Sequence, residues 1–246
     1  MSEKEFFNII LIVLTGTGIV VFFLLFYVTA PYGRHRREGW GMEIDNQTGW
    51  ILMEIVSLAG FWLFFLLGDW KTGLMPYLFL FLWSFHYFYR SVIFPSLFKS
   101  KKTMPLTVML MAVLFNVFNS YIQGRYLFTF SPAAEKYSIS WLTTPQFIFG
   151  IILFLIGFYI HVNSDTITRK LRKTGENEYK IPRRGLFRWV SNPNYFGEII
   201  QWSGWALLTW SLPGLVFAFW TFANLFPRAV SNHRWYRDTF KEYPEE

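Results

Sequence analysis

The chain has 246 residues, of which 53% are hydrophobic, 22% aromatic and only 16% charged; with a mean hydropathy of +0.27, it is too apolar for an ordinary soluble domain and reads as an integral membrane protein. Cysteine is absent, which excludes disulfides, thiolate nucleophiles and Cys-bound zinc, haem or iron–sulfur centres. The four histidines, His35, His86, His161 and His233, show no close metal-ligand spacing, so no metal site is expected.

Residues 6–29 are the first stretch to reach the roughly 20 apolar residues that cross a bilayer. Its apolar run, Asn8 to Val28, is longer than a signal-peptide core. Pro31 also directly follows the only small-residue cleavage candidate, Val28-Thr29-Ala30, so a retained helix is expected. Within it Gly16-Thr17-Gly18 looks like the start of a dinucleotide fingerprint, but no strand precedes it and no βαβ unit follows; it reads as a helix-packing site. Further spans are expected at 50–68, 74–90, 105–124 and 145–165. The stretch 195–226 reads as two shorter helices separated at Leu212-Pro213-Gly214, where Pro removes a donor and Gly relaxes the backbone. The expectation is an all-α polytopic membrane protein of seven transmembrane helices. With no internal repeat, low-complexity tract or linker, residues 1–246 read as a single domain.

The net charge of +7 does not point to nucleic acid, because the basic residues are dispersed among the hydrophobic segments. Taking the helices in order, the loops on one side hold every lysine and arginine except Lys4, Lys71, Arg125 and Lys136. That side should be cytoplasmic, which puts the N-terminus outside and the C-terminus in the cytosol. Loop bases such as Lys170, Lys173 and Arg183 read as contacts to water or lipid headgroups, so membrane lipids are expected partners.

The polar groups of the spans gather at that same cytoplasmic end. Helix two enters near Trp50, which places Glu54 about one turn inside at ~1.5 Å per residue; helix three leaves near Arg90, with His86 and Tyr87 at similar depth. The fifth helix leaves through His161 and Asp165, the sixth enters through Asn194 and Glu198, and the seventh leaves near Arg228. Ionisable groups inside a membrane are costly and mark functional sites. His161, Asp165, Arg169 and Arg172 fall at i, i+4, i+8 and i+11, one stripe of a helix that continues past the membrane, and Asn194 and Glu198 are again i, i+4. Either Ser191 or Asn192 can cap the sixth helix, with Pro193 in its first turn. Such a helix end, near arginines, suits phosphate groups. The competing reading for Asp165 and Glu198 is a purely structural ion pair with an arginine. Glu54 has no base adjacent in sequence and apolar neighbours, so it is expected to be a neutral acid that donates a hydrogen bond. Tyr87 alone would read as an interfacial anchor; its depth, shared with Glu54, makes it a site candidate.

At these residues the chain resembles the steroid 5α-reductase family, the 3-oxo-5α-steroid 4-dehydrogenases. The matching pieces include Ala30-Pro31-Tyr32-Gly33-Arg34-His35, Glu54, His86-Tyr87 with Arg90, and Asn163-Ser164-Asp165 leading to Leu171-Arg172-Lys173. They continue through Tyr179, Asn194 to Glu198, Thr209-Trp210-Ser211-Leu212-Pro213, Arg228-Ala229, His233-Arg234 and Tyr236. Single pieces are weak, but their order and spacing together are specific. The resemblance implies a membrane oxidoreductase of the endoplasmic reticulum, or of the inner membrane in a bacterium. It would act as a monomer and use NADPH to reduce the Δ4 double bond of a 3-oxo-steroid. Carried over, Asp165, Arg172, Tyr179, Asn194, Glu198, Arg228, His233 and Tyr236 would hold NADPH, with Arg169, Tyr32 and Arg34 as further cofactor contacts. Glu54 and Tyr87 would be the catalytic pair on the steroid carbonyl.

Three departures stand out: Met53 replaces the family's usual Gln, His161 replaces an Asn, and a His-rich run becomes Ser231-Asn232-His233, which leaves Asn232 and His233 as alternatives for one cofactor contact. The sequence also ends at Tyr243-Pro244-Glu245-Glu246, where relatives continue into a short tail, so a truncated C-terminus is expected. The alternatives are a reductase of enoyl-CoA or polyprenol type, an S-adenosylmethionine-dependent isoprenylcysteine-type methyltransferase suggested by the Asn-Pro-Asn-Tyr-Phe-Gly region, and a small transporter or lipid-binding protein.

Overall fold

The structure, a computed structural model, describes residues 1–98, 102–171 and 179–244. Among them lie helices α1 (Glu3–Tyr27), α2 (Asn46–Leu67), α3 (Met75–Phe88), α4 (Leu106–Arg125), α5 (Pro145–Lys170), α6 (Pro193–Thr209) and α7 (Leu212–Thr239). Two of them continue into five-residue π-turns, α3 through Tyr89–Ile93 and α4 through Tyr126–Phe130. Residues 3–27, 46–67, 106–130 and 145–170 are long and apolar enough to cross a membrane, and the protein is an integral membrane protein. The other three helices differ for visible reasons. α3 has 14 residues before its π-turn and α6 has 17, while the second half of α7 carries Arg228, His233, Arg234 and Arg237.

The structure corrects the last two helices. The break falls at Trp210, in the left-handed region with φ +44°, and not at Leu212-Pro213-Gly214. Those three residues open α7: Pro213 sits in the first turn, where its missing N–H costs nothing, and Ser211 caps the helix by accepting from Gly214 N at 3.1 Å. α7 then runs on to Thr239 through Pro227, well past residue 226. A second addition is an antiparallel ribbon of β1 (Glu43–Asp45) and β2 (Thr103–Pro105), with Ile44 opposite Met104. Asp45 caps α2 by accepting from Thr48 N at 2.9 Å. Glu43 joins the ribbon's two strands sideways by accepting from Thr103 Oγ1 and from Arg36, and these hydrogen bonds hold its carboxyl below the usual range.

The chain divides into two compact units, Met1–Val13 with Pro31–Phe147, and Leu14–Ala30 with Ile148–Glu246. In the first, Phe61 stacks on Trp83 at 4.6 Å and meets Phe128 edge-on at 5.2 Å, contacts worth about 0.5–1.5 kcal/mol each beyond area burial. Trp83 Nε1 donates to Ser57 O at 3.1 Å, and Asn116 Nδ2 donates to Met53 O at 2.6 Å, tying α4 to α2. The start of α1 joins this unit through Arg125, whose Nε lies 2.7 Å from Glu3 Oε1.

In the second unit the later part of α1 lies on α7: Phe22 stacks on Phe222 at 5.7 Å, and Trp220 Nε1 donates to Leu14 O at 2.5 Å. Gly18 packs against Phe219 and Trp220, while Gly16 faces open space. Only one glycine of the false fingerprint is therefore a packing position.

Lipid tails are as apolar as leucine, so helices in a membrane are held by close packing more than by a hydrophobic drive. The α5–α6 pair shows this directly. A Cβ on Gly197 would fall 2.6 Å from His161 N and 2.7 Å from Gly157 O; one on Gly157 would fall 2.5 Å from Gly197 O. Both obstacles are backbone, so neither can swing aside. Gly197→Ala is expected to cost about 1–3 kcal/mol or more of stability by overpacking and to displace α6 from α5. Thermal unfolding of the detergent-solubilised variant checks this, and an unchanged midpoint would contradict it.

Candidate active site

The first unit supplies a buried pair. Glu54, on the third turn of α2, is met by Arg90 from the π-turn after α3: Arg90 Nη2 donates to Glu54 Oε1 at 3.2 Å, and the two side chains are only 9% and 12% exposed. Arg90 is itself sandwiched, with its guanidinium carbon 4.4 Å from the Trp50 ring centroid and 5.0 Å from that of Phe94, so its position is set by cation–π contacts as well as by the ion pair. Glu54 thus has a basic partner that its neighbours in sequence do not supply. None is adjacent in sequence, but the packing of α3 on α2 brings one from 36 residues away.

Tyr87 lies one turn before Arg90, is 3% exposed, and has its ring against Trp83 at 4.8 Å and His86 at 5.0 Å. The π-turn begins two residues later, and Ser91 Oγ donates back to Tyr87 O at 2.6 Å. Glu54 and Tyr87 are therefore at the same end of the α2–α3 pair, as their shared depth implied. Tyr32 and Arg34 also belong to this unit. Tyr32 packs on the Met53, Met104 and Met109 cluster, and Arg34 sits part-buried in the 3₁₀ turn Gly33–His35.

The second unit gathers the carboxylates. The close approach at Gly157 and Gly197 sets the His161, Asp165 edge of α5 against the Asn194, Glu198 edge of α6. Asn194 Nδ2 donates to Asp165 Oδ1 at 3.2 Å. His161 stands between the two acids, with Nε2 2.9 Å from Asp165 Oδ2 and Nδ1 3.6 Å from Glu198 Oε1. Arg169 reaches back along its own helix to Thr166 Oγ1 at 3.3 Å. Arg172 lies outside the described residues.

The start of α6 is tied to α7. Asn192 is the residue before its first turn, yet its side chain caps nothing. Instead Asn192 Nδ2 donates to Ala229 O at 3.3 Å, and its Oδ1 accepts from Asn232 Nδ2 at 2.7 Å. The capping role expected of Ser191 or Asn192 is thus replaced by a clamp between helices, which sets buried Arg228 beside the α6 entry. Ser191 shares a 2.7 Å hydrogen bond with His233 Nδ1 and accepts from Tyr243 Oη at 2.8 Å, while Tyr243 stacks on buried Tyr236 at 5.0 Å. Tyr179 meets Trp235 edge-on at 5.2 Å. Asn232 is buried at 3% exposure and faces the α6 entry, whereas His233 is half-buried toward the C-terminal segment.

Arg90, His161 and Asn192 were noted on sequence but given no role on cofactor or steroid. The signals were their spacings: Arg90 at i+3 from Tyr87, and His161 at i−4 from Asp165. Among the described residues, no group of three or more His, Cys, Asp or Glu is placed to hold a metal ion.

Comparison with known proteins adds to this geometry. The family described as 3-oxo-5-alpha-steroid 4-dehydrogenase matches residues 102–246. Bovine 3-oxo-5-alpha-steroid 4-dehydrogenase 1 is 38% identical over 100% of this chain and 95% of its own length. The chain belongs to the 3-oxo-5-alpha-steroid 4-dehydrogenase family. Family relatives reach from plants to humans: steroid 5-alpha-reductase DET2 of Arabidopsis thaliana is 39% identical over 100% of this chain and 95% of that protein. The Homo sapiens 3-oxo-5-alpha-steroid 4-dehydrogenase 1 is 38% identical over 94% of this chain and 88% of its own. As a member of the 3-oxo-5-alpha-steroid 4-dehydrogenase family, the chain is an oxidoreductase.

Proposed function

We propose that this protein reduces the Δ4 double bond of a 3-oxo-Δ4-steroid to the 5α-reduced ketone with NADPH. The observation that carries the reading is similarity along the whole chain to animal and plant proteins named for that reaction. The side chains of the second unit fit such a cofactor. Buried Arg228 offers a cation for phosphate, and Asn192, Asn194, Asn232, Asp165 and Glu198 offer the mixed donors and acceptors that ribose hydroxyls and a carboxamide require. Tyr179, His233, Tyr236, Arg169, Arg172, Tyr32 and Arg34 are the further contacts proposed for it. NADPH, when bound, supplies the hydride that reaches C5 of the steroid; protein groups bind, orient and polarise.

Tyr87 and Glu54 hold the C3 carbonyl oxygen. Negative charge grows on that oxygen as the enolate forms, so a donor aimed there stabilises the transition state more than the ground state. Arg90 donates to Glu54 Oε1 in the steroid-free protein, and Glu54 takes up a proton as the steroid binds, so that it donates to the carbonyl as a neutral acid. C4 takes its proton from solvent. Within this reading, all seven helices cross the membrane with the C-terminus cytosolic, residues 1–246 are a single domain, and the monomer is sufficient. The membrane is the endoplasmic reticulum in a eukaryote and the inner membrane in a bacterium.

The test is purified protein with NADPH and a panel of Δ4-3-oxo-steroids, an enoyl-CoA and an unsaturated polyprenol, alongside an S-adenosylmethionine binding assay. The expected result is NADPH oxidation with steroids only, giving the 5α product. Oxidation with the enoyl-CoA or polyprenol alone, or binding of S-adenosylmethionine in place of NADPH, would overturn the reading.

A further inference from the structure

We propose that the cleft between α5 and the 3₁₀ turn Gly185–Arg188 binds one anionic phospholipid. The proposal stands on the second compact unit alone and is independent of the cofactor and steroid readings.

α5 has two working faces. Its His161 and Asp165 edge lies against α6. At about 100° per residue, Phe149, Ile152, Ile156, Tyr159 and Asn163 share a stripe on roughly the opposite side. The first four are 63%, 46%, 47% and 69% exposed, an open apolar stripe about 15 Å long at ~1.5 Å per residue. In a bilayer such a stripe meets acyl chains. The sequence turns polar directly beyond it, at Asn163-Ser164-Asp165, so the stripe ends where lipid headgroups begin.

The 3₁₀ turn folds over that end. Gly185 has φ +59°, and a Cβ there would fall 3.0 Å from Ile167 Cδ1 and 3.6 Å from Asn163 Nδ2, so the turn is seated on α5. The cleft left between them has a volume of about 370 Å³, within the range of small-ligand sites. Ile160 and Leu186 supply apolar lining, Asn163 an amide, and the residues that line it include one cation, Arg188, and no acid. Tyr159 and Trp189 flank it, the latter 76% exposed, and these are the side chains that settle at headgroup level. A phospholipid matches these groups in order. Its phosphate meets the Arg188 guanidinium, its ester oxygens accept from the Asn163 amide, and its chains run along the α5 stripe. With no acid in the lining to oppose it, Arg188 favours a headgroup of net negative charge.

The test is native mass spectrometry of the full chain in detergent with dioleoyl phosphatidylglycerol or dioleoyl phosphatidylcholine. Wild type is expected to retain one phosphatidylglycerol in preference to phosphatidylcholine. Arg188→Gln should weaken phosphatidylglycerol binding about fivefold, and Trp189→Ala should weaken both lipids through an independent group. Arg237→Gln, which removes an exposed base of α7 outside the cleft, should bind like wild type. Equal retention of the two lipids by wild type overturns the proposal, as do wild-type binding in both cleft variants or equal losses in Arg188→Gln and Arg237→Gln. Glycerol 3-phosphate carries the same phosphate without chains; if it displaces the lipid at equal concentration, the occupant is a soluble phosphate and the proposal fails.

Discussion

Tyr87→Phe is expected to lower kcat for a Δ4-3-oxo-steroid by about 10²–10³-fold, the usual loss when one donor to a developing oxyanion is removed. The substitution deletes a single oxygen. The ring stays where Trp83 and His86 hold it, and at 3% exposure a flanking water has little room to replace the hydroxyl. Because the hydrogen bond strengthens as charge moves onto the C3 oxygen, the loss should fall mainly on kcat, with KM altered far less. Glu54→Gln should also lower kcat, since the amide keeps a donor but not the proton-holding oxygen. Steady-state rates for both variants decide the matter. Turnover within twofold of wild type in both would remove these residues from the reaction.

Arg90→Met should have the largest effect on stability, about 3–5 kcal/mol, because it strands a buried carboxylate. Glu54 is 12% exposed and Arg90 9%, so water cannot fully substitute for the lost guanidinium. The contacts of Arg90 with Trp50 and Phe94 are lost too, though Met retains some of their dispersion. The instructive control is the double variant Arg90→Met with Glu54→Gln. Removing the second charge should restore much of the stability and none of the activity. Thermal unfolding in detergent measures both. A single variant as stable as wild type, or a double variant no better than the single, would mean that the pair carries no such energy.

The two halves of the candidate site differ in how far they could be read from sequence. The polar stripes were visible because i, i+4 spacing is a local property: His161 with Asp165, and Asn194 with Glu198, share a face whatever surrounds them. That the two stripes face each other depends on Gly157 and Gly197 meeting backbone to backbone, and neither glycine announces its partner. Glu54 gave no sign of its partner for the same reason. Its base, Arg90, is remote in the chain and arrives only through packing of α3 on α2. The ribbon of Glu43–Asp45 and Thr103–Pro105 escaped notice because three residues are too few for an alternating pattern. The α6–α7 break was misplaced because Pro-Gly was taken as an ending when, after a capping Ser211, it starts a helix.

Composition alone determined that the protein lives in a membrane, and local spacing determined its long helices and put their polar residues at helix ends. Both are sums over neighbouring residues and need no knowledge of the fold. Which charge partners which, that His161 stands between Asp165 and Glu198, and that Asn192 clamps α7 in place of capping α6 were decided by the tertiary structure. Electrostatic and hydrogen-bond energies fall off within a few ångströms, and those distances are fixed by how helices far apart in sequence pack.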